Sequence, residues 1–150
     1  MELSVEKLTV ERLEEVAPKI GDLLETGLYS LSKYLGKFNP DICLRNWKTL
    51  VERGLGVVFI VGDVDGFLAA VKTPDINTGE LKAVELGWYV KPSKRGIGLK
   101  LLRTYIEWAK ESGCKAVGVT HMQDVMPQVV KRIYERMGFI HTESSYLMEL

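Results

Sequence analysis

The chain has 150 residues, a hydrophobic fraction of 46% and 20 basic against 20 acidic side chains, for a formal net charge of zero. That length fits one domain, 1–150, with apolar residues enough for a sizeable core, and the balanced charge supplies no field to draw the chain onto nucleic acid or an anionic membrane. No apolar run approaches the roughly 20 residues that cross a bilayer, the charged start MELSVEKLTVERLEE lacks the apolar stretch of a secretory leader, and Cys43 and Cys114 make neither a metal-type spacing nor a disulfide framework, so a cytoplasmic, metal-free protein is expected.

Residues 3–8 (LSVEKL) alternate polar and apolar and predict a short strand. Thr9 is placed to cap the helix that follows, whose apolar residues recur at Leu13, Val16, Ile20, Leu23, Leu24, Leu28 and Leu31. Pro18 is expected to interrupt that helix or to start its second half. An irregular stretch from Tyr29 to Phe38 is rich in aromatics. Asn39-Pro40-Asp41 then reads as a helix start, with a capping side chain, proline in the first turn and an acid near the positive helix end. Cys43, Trp47, Leu50 and Val51 make the apolar stripe of this second helix, and Gly54 ends it.

The middle of the chain changes period. GVVFIVG (56–62) predicts a buried strand, DVDG (63–66) a turn, FLAAVKT (67–73) the returning strand, PDINTGE (74–80) a second turn and LKAVELGWYV (81–90) a third strand, all antiparallel. A basic, glycine-containing loop follows, then a helix with apolar residues at Leu101, Leu102, Tyr105, Ile106 and Ala109 that Gly113 closes. KAVGVT (115–120) predicts a buried strand. Pro127 opens a last helix whose inner face is Val130, Ile133, Tyr134 and Met137, stopped by Gly138; residues 139–141 and 145–150 are expected to pair as closing strands. The order β-α-α-β-β-β-α-β-α-β-β predicts an α+β (α/β) fold, a mixed, mostly antiparallel sheet with helices on both faces.

The most informative segment runs from Tyr89 to Leu102, where a strand passes through a glycine loop straight into an amphipathic helix. The first turn of a helix offers unpaired N–H groups and a positive dipole end, which attract phosphate. Gly96 and Gly98 let that backbone come close to a ligand, and Lys94, Arg95 and Lys100 add positive charge. The loop is neither a G-x-x-x-x-G-K-[ST] phosphate loop nor a full dinucleotide fingerprint.

This segment resembles motif A of the GNAT acetyltransferase superfamily: Val90-Lys91-Pro92 supplies the strand end, and Ser93-Lys94-Arg95-Gly96-Ile97-Gly98 the loop of pattern [Q/R]-x-x-G-x-[G/A]. Further on, Ile133-Tyr134-Glu135-Arg136-Met137-Gly138-Phe139 resembles the family's L-Y-x-x-x-G-F, and the element order agrees along the whole chain. The match departs at Ser93, where Gln or Arg is usual, at Pro127, where many members carry an Asn that contacts the cofactor, and at Val130, in place of Ala. An alternative register with Arg95 at the Gln/Arg position puts Arg103 and Thr104 where the helix needs apolar residues.

The resemblance implies an N-acetyltransferase that uses acetyl-CoA as co-substrate and an amine acceptor, small molecule or protein, as partner; a homodimer stays open. It implies backbone pairing of Trp88, Tyr89 and Val90 with the pantetheine arm, a pyrophosphate on Ser93, Lys94, Arg95, Gly96, Ile97 and Gly98, and Tyr134 as the acid facing the sulfur. For the base, Glu85 and His121 are the candidates. Glu85 lies one residue from the place of the base in some members, and one residue flips a side chain to the other face, which a bulge in that strand would restore. His121 has an intrinsic pKa suited to proton transfer, and Asp124 reads more simply as a helix cap. Tyr29, Tyr34, Phe38 and Trp47 fall where an acceptor site is usually shaped; the spacing of Trp47 makes it core, and the others stay open. The same resemblance admits a second class of function, a non-catalytic CoA-binding sensor or assembly module.

Overall fold

The computed structural model describes residues 3–28, 36, 38–121 and 127–150. Five strands lie side by side in chain order: β1 (Val5–Lys7), β2 (Gly56–Val61), β3 (Gly66–Pro74), β4 (Leu81–Val90) and β5 (Ala116–Gly118). The first four pair antiparallel, and β5 runs parallel to β4. Helices α1 (Val10–Leu23) and α2 (Pro40–Glu52) cover one face of the sheet, and α3 (Gly98–Glu111) and α4 (Pro127–Arg136) the other.

The two faces explain why β2 reads as an unbroken apolar run. Val58 and Ile60 point to the core shared with Leu13, Val16 and Ile20 of α1 and Trp47 of α2. Val57, Phe59 and Val61 point to the core shared with Leu101, Leu102 and Tyr105 of α3. A strand covered on both sides has no polar face to present. Burying an apolar side chain of this size is worth roughly 1.5–3 kcal/mol, so these two cores fix which face each helix takes.

Local signals set the helix ends. The Thr9 hydroxyl accepts from the Arg12 N–H at 3.1 Å, and the Asn39 side chain from the Ile42 N–H at 3.1 Å, with Pro40 in the first turn. Gly54 (φ +70°) and Gly138 (φ +93°) take the left-handed turn that ends α2 and α4. Trp47 is core, its ring 5.8 Å from that of Phe67.

Three expectations need correction. Helix α1 runs straight through Pro18 and passes into a π-type turn over Leu24–Leu28. Pro18 and Glu14 are both exposed, so water has access to the turn where proline removes an N–H donor. β5 is three residues long rather than six. The closing strands over 139–141 and 145–150 do not form: residues 139–150 carry no strand, and Tyr146, Met148 and Leu150 are exposed. Phe139 packs against the α3–α4 core, but His141 to Ser145 are five consecutive polar residues. Nothing in that stretch can be buried to offset the entropy of ordering it. Tyr29, Tyr34 and Asp124 lie outside the described residues.

Candidate active site

Strand β4 builds the site, and an irregularity in it decides which side chains face which way. Gly87 pairs with Ala69, and the next pair on β3, Ala70, meets Glu85. Leu86 is the extra residue of a β-bulge, half-exposed and without a partner on β3. Beyond a bulge the alternation inverts. Trp88 and Val90 face α3 and α4, and past the bulge Ala83 faces them too, which puts Glu85 on that same face. The bulge that the sequence could not reveal is therefore present, at the position Glu85 needs.

On its other side β4 is only partly covered. β5 pairs with Lys82, Ala83 and Val84 and with no residue beyond. Among the described residues, no strand borders β4 from Glu85 to Val90 on that side. The chain leaving β5 is held instead by two phenols. Tyr105 of α3 donates to the Gly118 carbonyl at 2.7 Å, and Tyr134 of α4 donates to the Thr120 carbonyl at 2.6 Å. The result is a wedge, with the open edge of β4 on one wall and residues 118–120 on the other.

Glu85 and Tyr134 meet in this wedge through Thr120. The Thr120 hydroxyl donates to the Glu85 carboxylate at 3.4 Å. Burial pushes the Glu85 carboxyl up to about 7, against a smaller opposing pull from the hydroxyl and the backbone N–H of Thr120. A carboxyl near 7 is balanced between its two protonation states at neutral pH, the condition a general base needs. Burial first, and the nearby Glu85 charge second, push the Tyr134 phenol above its ordinary value of 10. Its ring lies 6.0 Å from Trp88 and 5.6 Å from Phe139. His121 follows Thr120 directly, and its Nδ1 is buried with no hydrogen-bond partner among the described residues, as is the indole N–H of Trp88.

The β4–α3 connection is a short 3-10 turn, Pro92–Ile97, broken at Lys94, and no side chain caps α3. Pro92 to Gly96 are all exposed. A side chain at Gly96 would meet nothing within 4 Å, so the backbone there lies open to an approaching ligand. Gly98 has a different reason to be glycine. A Cβ there would sit 3.3 Å from Val90 Cγ2 and 3.4 Å from the Trp88 ring. Its smallness seats α3 on β4, and it is buried. Lys94 and Arg95 are exposed on the loop, the Arg95 guanidinium 5.6 Å from the Tyr89 ring centre. Lys100 donates instead to the Leu3 carbonyl at 3.2 Å, away from the loop. Leu101, Leu102 and Tyr105 are fully buried while Arg103 is exposed, which favours the register that puts Ser93 rather than Arg95 at the start of the motif.

The sequence over residues 26–139 matches a family profile described as the acetyltransferase (GNAT) family. This chain belongs to the GNAT acetyltransferase family. Its members are acyl-CoA-dependent N-acetyltransferases, and the five-stranded sheet flanked by four helices is the GNAT fold. No curated protein sequence matches the chain. Among solved structures it resembles an aminoglycoside acetyltransferase from an uncultured soil metagenomic sample (TM-score 0.77, 15% identity, covering 100% of this chain and 99% of that one). It resembles equally a transcriptional regulator from Bacillus halodurans (TM-score 0.78, 20% identity, 99% and 100% covered). A third likeness is to AAC(6')-Iy in complex with a bisubstrate analogue, CoA-S-monomethyl-acetylneamine (TM-score 0.72, 16% identity, 100% and 99% covered). At these identities the likenesses show the shared fold.

In this GNAT domain the predicted residues fall into two groups. Glu85, Tyr134, Trp88 and Val90 come together on the wedge side of β4. Tyr89 points to the opposite core, beside α1 and α2. Two participants escaped the sequence reading, Thr120 and Tyr105. Tyr105 carries a visible signal, a phenol on a buried helix stripe whose hydroxyl needs a partner. Thr120 carries none, because its part depends on a backbone carbonyl and on a neighbour 35 residues away. Among the described residues, no cluster of His, Cys, Asp and Glu could hold a metal ion, and no helix is long and apolar enough to cross a membrane.

Proposed function

We propose that this chain transfers the acetyl group of acetyl-CoA directly to a primary amine. The observation that carries the reading is the meeting of Glu85, Thr120 and Tyr134 in a wedge opened by the β4 bulge, next to an exposed glycine turn. The turn fits a pyrophosphate: Gly96 has open space above it, α3 lacks a side-chain cap, and Lys94 and Arg95 stand exposed alongside. The open edge of β4 from Glu85 to Val90 fits the amides of a pantetheine arm, in the manner of an added strand.

In the reaction an amine nitrogen forms a bond to the thioester carbonyl carbon, and the carbon–sulfur bond breaks. An alkyl amine has a pKa near 10.4, so a base must take up its proton. Glu85, with its carboxyl at about 7, fills that role better than His121 because its carboxyl is tied into the wedge. The leaving thiolate has an ordinary pKa near 8.5. A phenol raised above 10 is a poor donor of a whole proton to it, so Tyr134 serves mainly by directing its hydroxyl hydrogen at the developing charge. To do so it must turn from the Thr120 carbonyl. A single domain over residues 1–150 would hold all of these parts.

The test is release of free thiol from acetyl-CoA with a panel of small amines, aminoglycosides and peptides, with mass analysis of the acceptor. Amine-dependent thiol release with an acetyl group added to the acceptor supports the reading. CoA binding with no thiol release for any amine would replace it with a non-catalytic CoA-binding module.

A further inference from the structure

We infer that Thr120 is a positioning residue for Glu85, its hydroxyl fixing the carboxyl while the Tyr134 phenol anchors its backbone. The inference rests on the reading of Glu85 as the base, but it concerns how that carboxyl is held. Glu85 sits in surroundings that offer it little else. Directly opposite it on β3 is Ala70, and its near neighbour on the same face of β4 is Ala83, both buried. The titratable groups facing it are Tyr105 from α3 and Tyr134 from α4. Both phenols are raised, neutral through the working pH range, and both already donate their hydrogens, to Gly118 and Thr120. Lys72 lies two residues beyond Ala70 on β3, and His121 follows Thr120. The hydroxyl and N–H of Thr120 are the hydrogen-bond donors that reach the carboxyl among the described residues.

A carboxylate with one side-chain donor takes its orientation from that donor, and the donor favours the charged form. Until Tyr134 turns toward the departing sulfur, Thr120 can hold it steadily because its own carbonyl accepts the 2.6 Å bond from Tyr134, past the point where β5 stops pairing with β4. The proposed base and the proposed hydrogen-bond donor to the leaving sulfur are therefore attached to one residue. Tyr134 is bound to its carbonyl, and Glu85 to its hydroxyl.

The experiment is a carboxyl-carbon NMR titration of Glu85, assigned with Glu85→Gln, in wild type, Thr120→Val, Thr120→Ala and Thr120→Ser, alongside the pH profile of kcat/KM. Val and Ala both remove the hydroxyl, so either one that folds carries the test. Loss of the donor should raise the Glu85 midpoint by roughly half to one pH unit, the effect of one long bond to a charged group. Serine should restore it. An unchanged midpoint in Val and Ala overturns the inference, as does a serine variant that shifts as far as valine, since packing would then be the cause. If the midpoint moves while the rate profile stays in place, the positioning role stands and Glu85 is not the base. If both move together, both readings hold.

Discussion

At the scale of single residues, the proposed reaction turns on two side chains, Glu85 and Tyr134, whose burial raises both pKa values. Glu85 is raised from an ordinary 4.5 to about 7 because burial penalises its charged form. A base must be deprotonated, so kcat/KM should rise with pH and level off above about 7. Glu85→Gln should lose that rising limb, falling furthest below wild type on the plateau above about 7 and least at low pH, where the wild-type carboxyl is itself protonated. A variant with the wild-type profile would remove Glu85 from the reaction. The same shift has a sign in stability. The folded protein binds this proton more tightly than the unfolded chain, so stability is greatest below about 4.5 and falls as pH rises towards 7. Denaturant titrations at pH 5 and pH 8 should show Glu85→Gln losing less between the two than wild type does. Tyr134→Phe keeps the ring in its core and removes only the hydroxyl. Losing its hydrogen bond to the developing charge should lower kcat on the order of 100-fold with acetyl-CoA affinity nearly unchanged. It also removes the hydrogen bond to the carbonyl of the exposed Thr120, worth roughly 0.5–1.5 kcal/mol, so melting curves should accompany the kinetics. Full kcat with chemistry limiting would make Tyr134 a packing residue.

At the scale of elements, the helix starts at Thr9 and Asn39, the bounds of β4 and the inner face of α4 were all legible, because each is a local signal a few residues long. The β4 bulge was not. Leu86 looks like any other strand residue, and only the pairing of its neighbours Gly87 and Glu85 with Ala69 and Ala70 shows that it is extra. That one residue decides whether Glu85 faces the wedge or the opposite core. The closing strands failed for the complementary reason: a plausible alternation around Tyr146 and Met148 had no apolar face to dock on. The two glycines of the loop were legible as a motif but not as two different jobs. Gly96→Asp places a negative charge in open space, so it should change stability by less than roughly 0.5 kcal/mol while sharply weakening CoA. Gly98→Asp drives atoms towards Val90 and Trp88, at 3.3 and 3.4 Å even for a Cβ. It should cost roughly 1–3 kcal/mol through overpacking before any ligand is added. Thermal melts and binding titrations on the pair separate the two effects. Equal loss of stability in both would mean that the turn is packed where it is now seen to be open.

At the scale of the molecule, the two cores hold β4 from both sides, and among the described residues no strand borders its edge from Glu85 to Val90. A ligand filling that edge binds the folded state alone, so it should stabilise the protein by mass action. At 100 times its dissociation constant the gain is about 2.7 kcal/mol, which for a chain of this size raises Tm by roughly 5–10 °C. In the proposed complex CoA occupies this wedge with its pyrophosphate at the Gly96 turn. Calorimetric titration of CoA into wild type and into Gly96→Asp measures that claim most directly. The account predicts saturable binding in the micromolar range for wild type, weakened at least tenfold, or about 1.4 kcal/mol, in a Gly96→Asp variant that melts like wild type. No heat from wild type at millimolar CoA, or equal affinity in the two proteins, would contradict it.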